Sequence, residues 1–407
     1  MAEQVLEILG REIVDRNEPH GPNEQQGLID PIYYRFREGR EQQEIGRCPR
    51  ILLRVLKGSF SLLGLWGHQC WNYLPRILFM VISFYQVVYR MYIDCGCPNF
   101  DCHSKPNLIS NKTLHGVVAT GNVVFTIVSF AAVISYIFFV GSFYTPSRLN
   151  SALVSPSETF MEDISKSDAW LLFLTYVLII VLFLGLGASL YTLPKTSEIR
   201  DPHYTVAVIT GTGAQLLVHL GSINTCQVFA VSSLAIGTFA QDVTRKIRGI
   251  QGGSIDDVIN IHEDLCTVVF NTVSAYSAWF VVHWVTYGAG VVIALIYISE
   301  EIKFDTTATE FAFVGLLLFC CFYLFVFPCY FAASITSSCA GIYEEINRTT
   351  GWEVGPFSER SNVALFISYA KDRGCGFKVG RITFTTSLAW FSFFFGLTGL
   401  LYHFIQN

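Results

Sequence analysis

Long uncharged stretches alternate with short polar ones along this chain, and the alternation sets the expected elements. Seven apolar runs are long enough to be helices that cross a bilayer, which takes about 20 largely apolar residues. They fall at Leu74–Ile93, Leu114–Tyr144, Ala169–Leu193, Val206–Ala240, Cys266–Ile298, Phe311–Tyr343 and Ile382–Ile405. The runs are apolar on every side, whereas membrane barrel strands alternate in segments of about ten residues. Helices are therefore expected. The uncharged Gly58–Pro75 stretch before the first run carries Gly58, Gly64, Gly67, His68, Gln69 and Asn72, and reads as interfacial or re-entrant.

Three helices are expected to outrun the bilayer. Helical character continues past the fourth run through Gln241–Gly249. Ser254-Ile255-Asp256-Asp257 reads as an N-cap followed by acids in the first turn. From that cap to Ile298 no proline intervenes. The sixth run extends past Tyr343 into Glu344-Glu345-Ile346, and Glu359–Arg373 reads as a further helix, broken by Gly374-Cys375-Gly376.

Composition supports the membrane reading. Of 407 residues 52% are hydrophobic and 14% charged, and the mean hydropathy is +0.43. Soluble domains carry about 25% charged residues. A soluble globular protein, a disordered chain and a nucleic-acid binder are excluded. Charge placement orients the spans, since cytoplasmic loops carry the excess of Lys and Arg. Twenty basic residues fall on the side of the N-terminus and five on the other. The N-terminus is expected inside and the C-terminus, after seven spans, outside. No apolar leader precedes residue 50, so the first span is expected to serve as the targeting signal. Asn111-Lys112-Thr113, a glycosylation sequon, and Cys95, Cys97 and Cys102, disulfide candidates, then lie outside, where both modifications occur. A zinc site on those three cysteines is the lesser alternative.

The expected architecture is an all-α polytopic membrane protein with helices 4–6 extended into a cytoplasmic anchor domain. Its parts are a cytoplasmic N-terminal region (1–57), transmembrane helices 1–4 (58–240), an anchor segment (241–265), helices 5 and 6 (266–343), a second anchor segment (344–378) and helix 7 (379–407).

The chemistry of an enzyme is missing from the sequence. No His-Glu-x-x-His run, phosphate-binding loop or nucleophile elbow occurs. No cofactor and no metal site is expected. Acids are absent from the centres of the spans, which speaks against an ion-coupled transporter. Polar side chains do occur inside spans four and five, where they are costly unless paired or functional. Gln215 and His219 on the fourth span, His283, Trp284 and Tyr287 on the fifth, and Tyr191 at the outer end of the third are expected to line an outward-facing small-molecule pocket, with the ligand contacts on all but His283. Asn224, Gln227 and Asn271 share these spans, and interhelical hydrogen bonding is the other reading for all such residues. In the last span Gly396, Gly399, His403 and Gln406 share one helix face, fit either for a pore lining or for a close helix contact.

The orientation is opposite to that of G-protein-coupled receptors, and their Asp-Arg-Tyr and Asn-Pro-x-x-Tyr signatures are absent. The chain instead resembles the insect gustatory receptor family and its gustatory receptor-like relatives, a superfamily that includes the insect odorant receptors. The resemblance rests on the seven spans, the long helices four to six, Gly374-Cys375-Gly376-Phe377 ahead of the last span, and Gln406 near its end. The family's helix-seven signature is Thr-Tyr, five apolar residues and Gln. Here Gly399 and Leu400 stand in place of Thr-Tyr, and Gln406 is kept, as in a divergent member. The resemblance implies a ligand-gated, non-selective cation channel of the plasma membrane, homotetrameric, with a small organic ligand bound among helices two to six. Helix seven of each subunit lines the pore in the family, and the anchor domains form most of the subunit contacts. By position, His403 replaces an apolar gate residue. The rival readings are a non-conducting seven-span receptor or scaffold and a small-solute transporter.

Overall fold

The computed structural model describes residues 73–95, 130–140, 166–192, 202–249, 255–301, 308–348 and 360–388, together with Arg54, Gly58 and Ser59. The described residues are nearly all helical. The helices are α1 (Tyr73–Cys95), α2 (Phe130–Val140), α3 (Lys166–Thr192), α4 (Pro202–Gly249), α5 (Ile255–Glu301), α6 (Ala308–Arg348) and α7 (Arg360–Arg373). Their bounds follow local signals. Pro202 opens α4, where its missing N–H leaves no bond unmade. Asp256 and Asp257 sit in the first turn of α5, facing the positive end of its dipole. At its other end α7 closes on Gly374 at φ 60°, whose N–H donates to the Ala370 carbonyl at 3.2 Å, a left-handed C-cap.

Helix α4 is the hub. It packs against α1, α3, α5 and α6, and every residue from Gly221 to Ser233 is buried. Gly221 makes the α1 contact possible, because a Cβ there would run into the Phe79 ring. Phe79 in turn lies on Tyr136 of α2, ring centroids 4.2 Å apart. A second set of contacts joins α5 to α6 along their length, and α7 rests on both.

Helix α3 is apolar all round. Leu172, Tyr176, Ile179 and Phe183 face the core, while Leu171, Leu174, Leu178, Val181 and Leu184 point outward and are exposed. Helix α1 exposes Leu74, Ile77, Leu78, Val81 and Phe84 in the same way. A continuous apolar outer face is a liability in water and the normal solvent contact in lipid. Three stretches, Leu216–Ile247, Ile255–Leu295 and Gly315–Glu344, are long and apolar enough to cross a membrane, and Leu74–Val88, Phe130–Val140 and Trp170–Gly185 are shorter apolar helices. At 1.5 Å per residue the 48-residue α4 and 47-residue α5 are each about 70 Å long, more than twice a hydrocarbon core of about 30 Å.

The approach to the last span differs from expectation. A helix was expected from Ile382, but Lys378–Val379 and Ile382–Thr383 pair as an antiparallel hairpin, β1 and β2, and helical conformation resumes at Thr386. The turn is made by Gly380 and Arg381. Gly380 at φ 58° supplies the positive first torsion that a two-residue hairpin favours. Period-2 pairing won here because three glycines in seven residues, all at positive φ, oppose a helix.

Candidate functional site

Three polar side chains of α4 reach three different neighbours. Asn224 Oδ1 accepts a hydrogen bond from the Tyr176 hydroxyl of α3 at 3.3 Å, and its Nδ2 donates to Leu220 O at 2.8 Å. Gln227 Nε2 donates to Tyr323 Oη of α6 at 3.2 Å. Ser232 Oγ lies 2.8 Å from Tyr276 Oη of α5. These pairs join α4 to its packing partners, and they account for Asn224 and Gln227 as interhelical contacts.

The centre of the bundle is His283, expected at the outward-facing pocket beside Trp284 and Tyr287. Its position follows from a proline. Pro328 lies inside α6 and has no N–H, so the carbonyl four residues earlier, Leu324 O, loses its helical donor. His283 Nε2 sits 2.9 Å from that oxygen. A carbonyl only accepts, so Nε2 carries the hydrogen and Nδ1 is left as the acceptor. Ser135 Oγ of α2, 3.3 Å from Nδ1, then donates to it. Cys226 Sγ of α4 is 3.2 Å from Nε2. One side chain thus ties α2, α4, α5 and α6 together, within an aromatic shell that includes Trp279 at 5.0 Å and Tyr287 at 4.5 Å between centroids.

Of the expected pocket residues, His219 and Tyr287 come together. The Tyr287 hydroxyl and His219 Nδ1 are 3.5 Å apart, and the His219 ring stacks on Phe183 of α3 at 5.2 Å and 30°. Both residues are buried. Trp284 is elsewhere. It stacks on Phe325 at 6.2 Å and meets Phe384 edge-on at 5.8 Å. Gln215 is on α4 and Tyr191 in the last turn of α3, with side chains outside the described set. Cys95 ends α1, its side chain likewise outside it, while Cys97, Cys102, Asn111 and the pore candidates Gly399, His403 and Gln406 lie outside the described residues altogether.

Two residues of α1 were passed over in the sequence. Ser83 and Gln86 share the face of Phe79 that packs on α4, and both are fully buried. Among the described residues, neither the Gln86 amide nor the Ser83 hydroxyl has a hydrogen-bond partner. A buried amide without a partner costs about 1–3 kcal/mol. A glutamine and a serine three residues apart in an apolar helix were the available signal.

The hairpin is seated by two phenylalanines. Phe377 is fully buried, 4.8 Å from Phe280 and 5.6 Å from Phe229, and its N–H donates to Thr336 Oγ1 at 3.0 Å. Phe384 packs on Phe280 at 4.7 Å, and its N–H donates to Phe377 O at 2.9 Å. Gly376 allows this seat, at φ 152° with Thr336 at contact distance from its missing Cβ. The described residues contain no cluster of three or more His, Cys, Asp or Glu arranged to hold a metal ion.

No family model matches the chain, and no curated protein matches it. Solved structures do. The insect olfactory receptor OR5 from Machilis hrabei superposes with a TM-score of 0.62 at 12% identity, over 88% of this chain and 97% of that one. The same receptor in complex with eugenol gives 0.59 at 12% identity, over 92% and 100%. The helical arrangement built around α4 is thus the fold of an insect olfactory receptor, an all-α membrane-receptor fold.

Proposed function

We propose that this protein is a chemosensory receptor of the plasma membrane, acting as a ligand-gated, non-selective cation channel. One observation carries the reading: nearly the whole chain shares its fold with an olfactory receptor, and that receptor also has a structure in complex with eugenol. Four copies assemble, with N-termini cytoplasmic and C-termini outside, and a helix over 386–407 of each copy lines a central pore with Gly399, His403 and Gln406. The anchor segments 241–265 and 344–378 hold the copies together. The ligand is a small organic molecule on the extracellular side, contacting His219, Tyr287 and Gln215, with Gln86 and Ser83 of α1 as further polar partners. Trp284 acts through the hairpin instead, since it packs on Phe384.

The test is whole-cell current in a heterologous cell line during a panel of small organic ligands, starting with eugenol. Expected is a ligand-evoked cation current. His403→Ala and Gln406→Ala shift its ion selectivity, and His219→Ala moves the dose–response curve by tenfold or more without changing selectivity. A surface-expressed protein that is monomeric and silent across the panel overturns the channel and leaves a non-conducting receptor or scaffold. Solute flux without tetramers would instead point to a transporter.

A further inference from the structure

Cys339 near the end of α6 and Cys375 in the link after α7 bring their sulfurs to 3.1 Å. A disulfide needs about 2.05 Å, so about 1 Å of movement separates two thiols from a bond. The link is where that movement is available, because Cys375 lies between Gly374 and Gly376, both at positive φ and both outside regular structure. Access is provided as well. Cys339 and Cys375 line a cavity of ≈ 110 Å³, with His262, Tyr343 and Lys371 around them. A water's share of liquid volume is about 30 Å³, so a hydrogen peroxide molecule fits. Cys339 is itself buried, like Cys226, Cys320, Cys321 and Cys329, so the cavity is its approach, while Cys375 is partly exposed.

We propose that Cys339 and Cys375 are an oxidisable pair that closes to a disulfide when the protein meets a peroxide. The Cys375 sulfur attacks one peroxide oxygen. The O–O bond breaks, water leaves, and Cys375 becomes a sulfenic acid. The Cys339 sulfur then attacks that sulfur, the S–S bond forms, the S–O bond breaks, and a second water leaves. Two thiols and one peroxide give one disulfide and two waters. Both thiol protons end in water, each sulfur gives up one electron, and the peroxide oxygens take up two. A small thiol such as glutathione reverses the step by exchange.

Several groups bear on the resting state. A hydrogen bond with Cys266 and the Lys378 ammonium pull the Cys375 thiol down, while its contact with Cys339 and burial push it up, and the balance lies above the ordinary thiol value. At rest Cys375 is therefore a neutral thiol, and it answers to sustained peroxide more than to brief exposure. Once closed, the bond ties α6 to the link across a separation of 36 residues that includes α7. The Phe377 N–H to Thr336 bond already holds the neighbouring residue to the same helix.

The test is peptide mapping of the purified full chain in lipid nanodiscs, before and after hydrogen peroxide, without reductant. Expected is a cross-linked peptide joining Cys375 to Cys339 that appears with peroxide and is lost with dithiothreitol. Cys339→Ser removes it and Cys266→Ser retains it. Recovery of Cys375 as a free thiol, as an irreversibly oxidised acid, or joined to Cys266 overturns the proposal. So does loss of the cross-link in Cys266→Ser. The wild-type map alone decides the main question, and it reads nothing from channel activity.

Discussion

At the residue scale the most consequential relation is between Pro328 and His283. A proline in a helix interior leaves a carbonyl without its donor, and an imidazole from the neighbouring helix supplies one at 2.9 Å. His283→Leu removes that donor and also the acceptor for Ser135, leaving two buried polar groups unpaired. The expected loss is about 2–6 kcal/mol of stability, from about 1–3 kcal/mol per unsatisfied group. Thermal unfolding in detergent reads it. Pro328→Ala restores an N–H to the Leu324 carbonyl, so the double variant should be less damaged than the single ones predict. Strict additivity of the two changes would refute the relation. By contrast, Tyr287→Phe removes a hydroxyl that makes a long 3.5 Å contact with His219 and a polar contact with Ser222, and about 0.5–1.5 kcal/mol is expected from it.

Two contacts govern how whole elements meet. The α1–α4 contact depends on Gly221, since any side chain there displaces Phe79. Gly221→Val is expected to cost about 1–3 kcal/mol through overpacking, with Phe79→Leu giving partial rescue. A double-mutant cycle on unfolding midpoints measures it, and zero coupling would sink the argument. The second contact is the hairpin. Phe377→Ala empties a site lined by Phe229, Phe280 and Phe384, and large core aromatics cost about 3–5 kcal/mol when truncated. Because the hairpin precedes residues 386–407, the same change is expected to abolish ligand-evoked current even in protein that reaches the cell surface. Gly376→Ala should act in the same direction, as its φ of 152° suits glycine alone.

Seen as a whole molecule, the chain places apolar side chains outward on α1 and α3, and its three longest helices outrun a bilayer. Native mass measurement in detergent is expected to give a tetramer, and a strictly monomeric protein would remove the basis for a central pore. The helices themselves were legible in the chain. Apolar runs, the acids after Ser254 and the glycines after Arg373 are local signals, and each corresponds to an observed helix or helix boundary, while Pro202 starts the fourth helix four residues before its apolar run. The hairpin was not legible, because an apolar run beginning at Ile382 looks the same whether it starts as strand or helix. Nor were the site's partnerships. Composition marked His219, Trp284 and Tyr287 as unusual in lipid, but their partners differ: Tyr287 meets His219, while Trp284 meets Phe325 and Phe384. The role of His283 needed both Pro328, 45 residues away, and Ser135, 148 residues away, to be brought to it. Periodicity and hydropathy act over neighbouring residues, so the sequence by itself determined membrane helices and their ends. Which buried polar atoms meet depends on how those helices rotate and cross, and only the packed tertiary structure decides that.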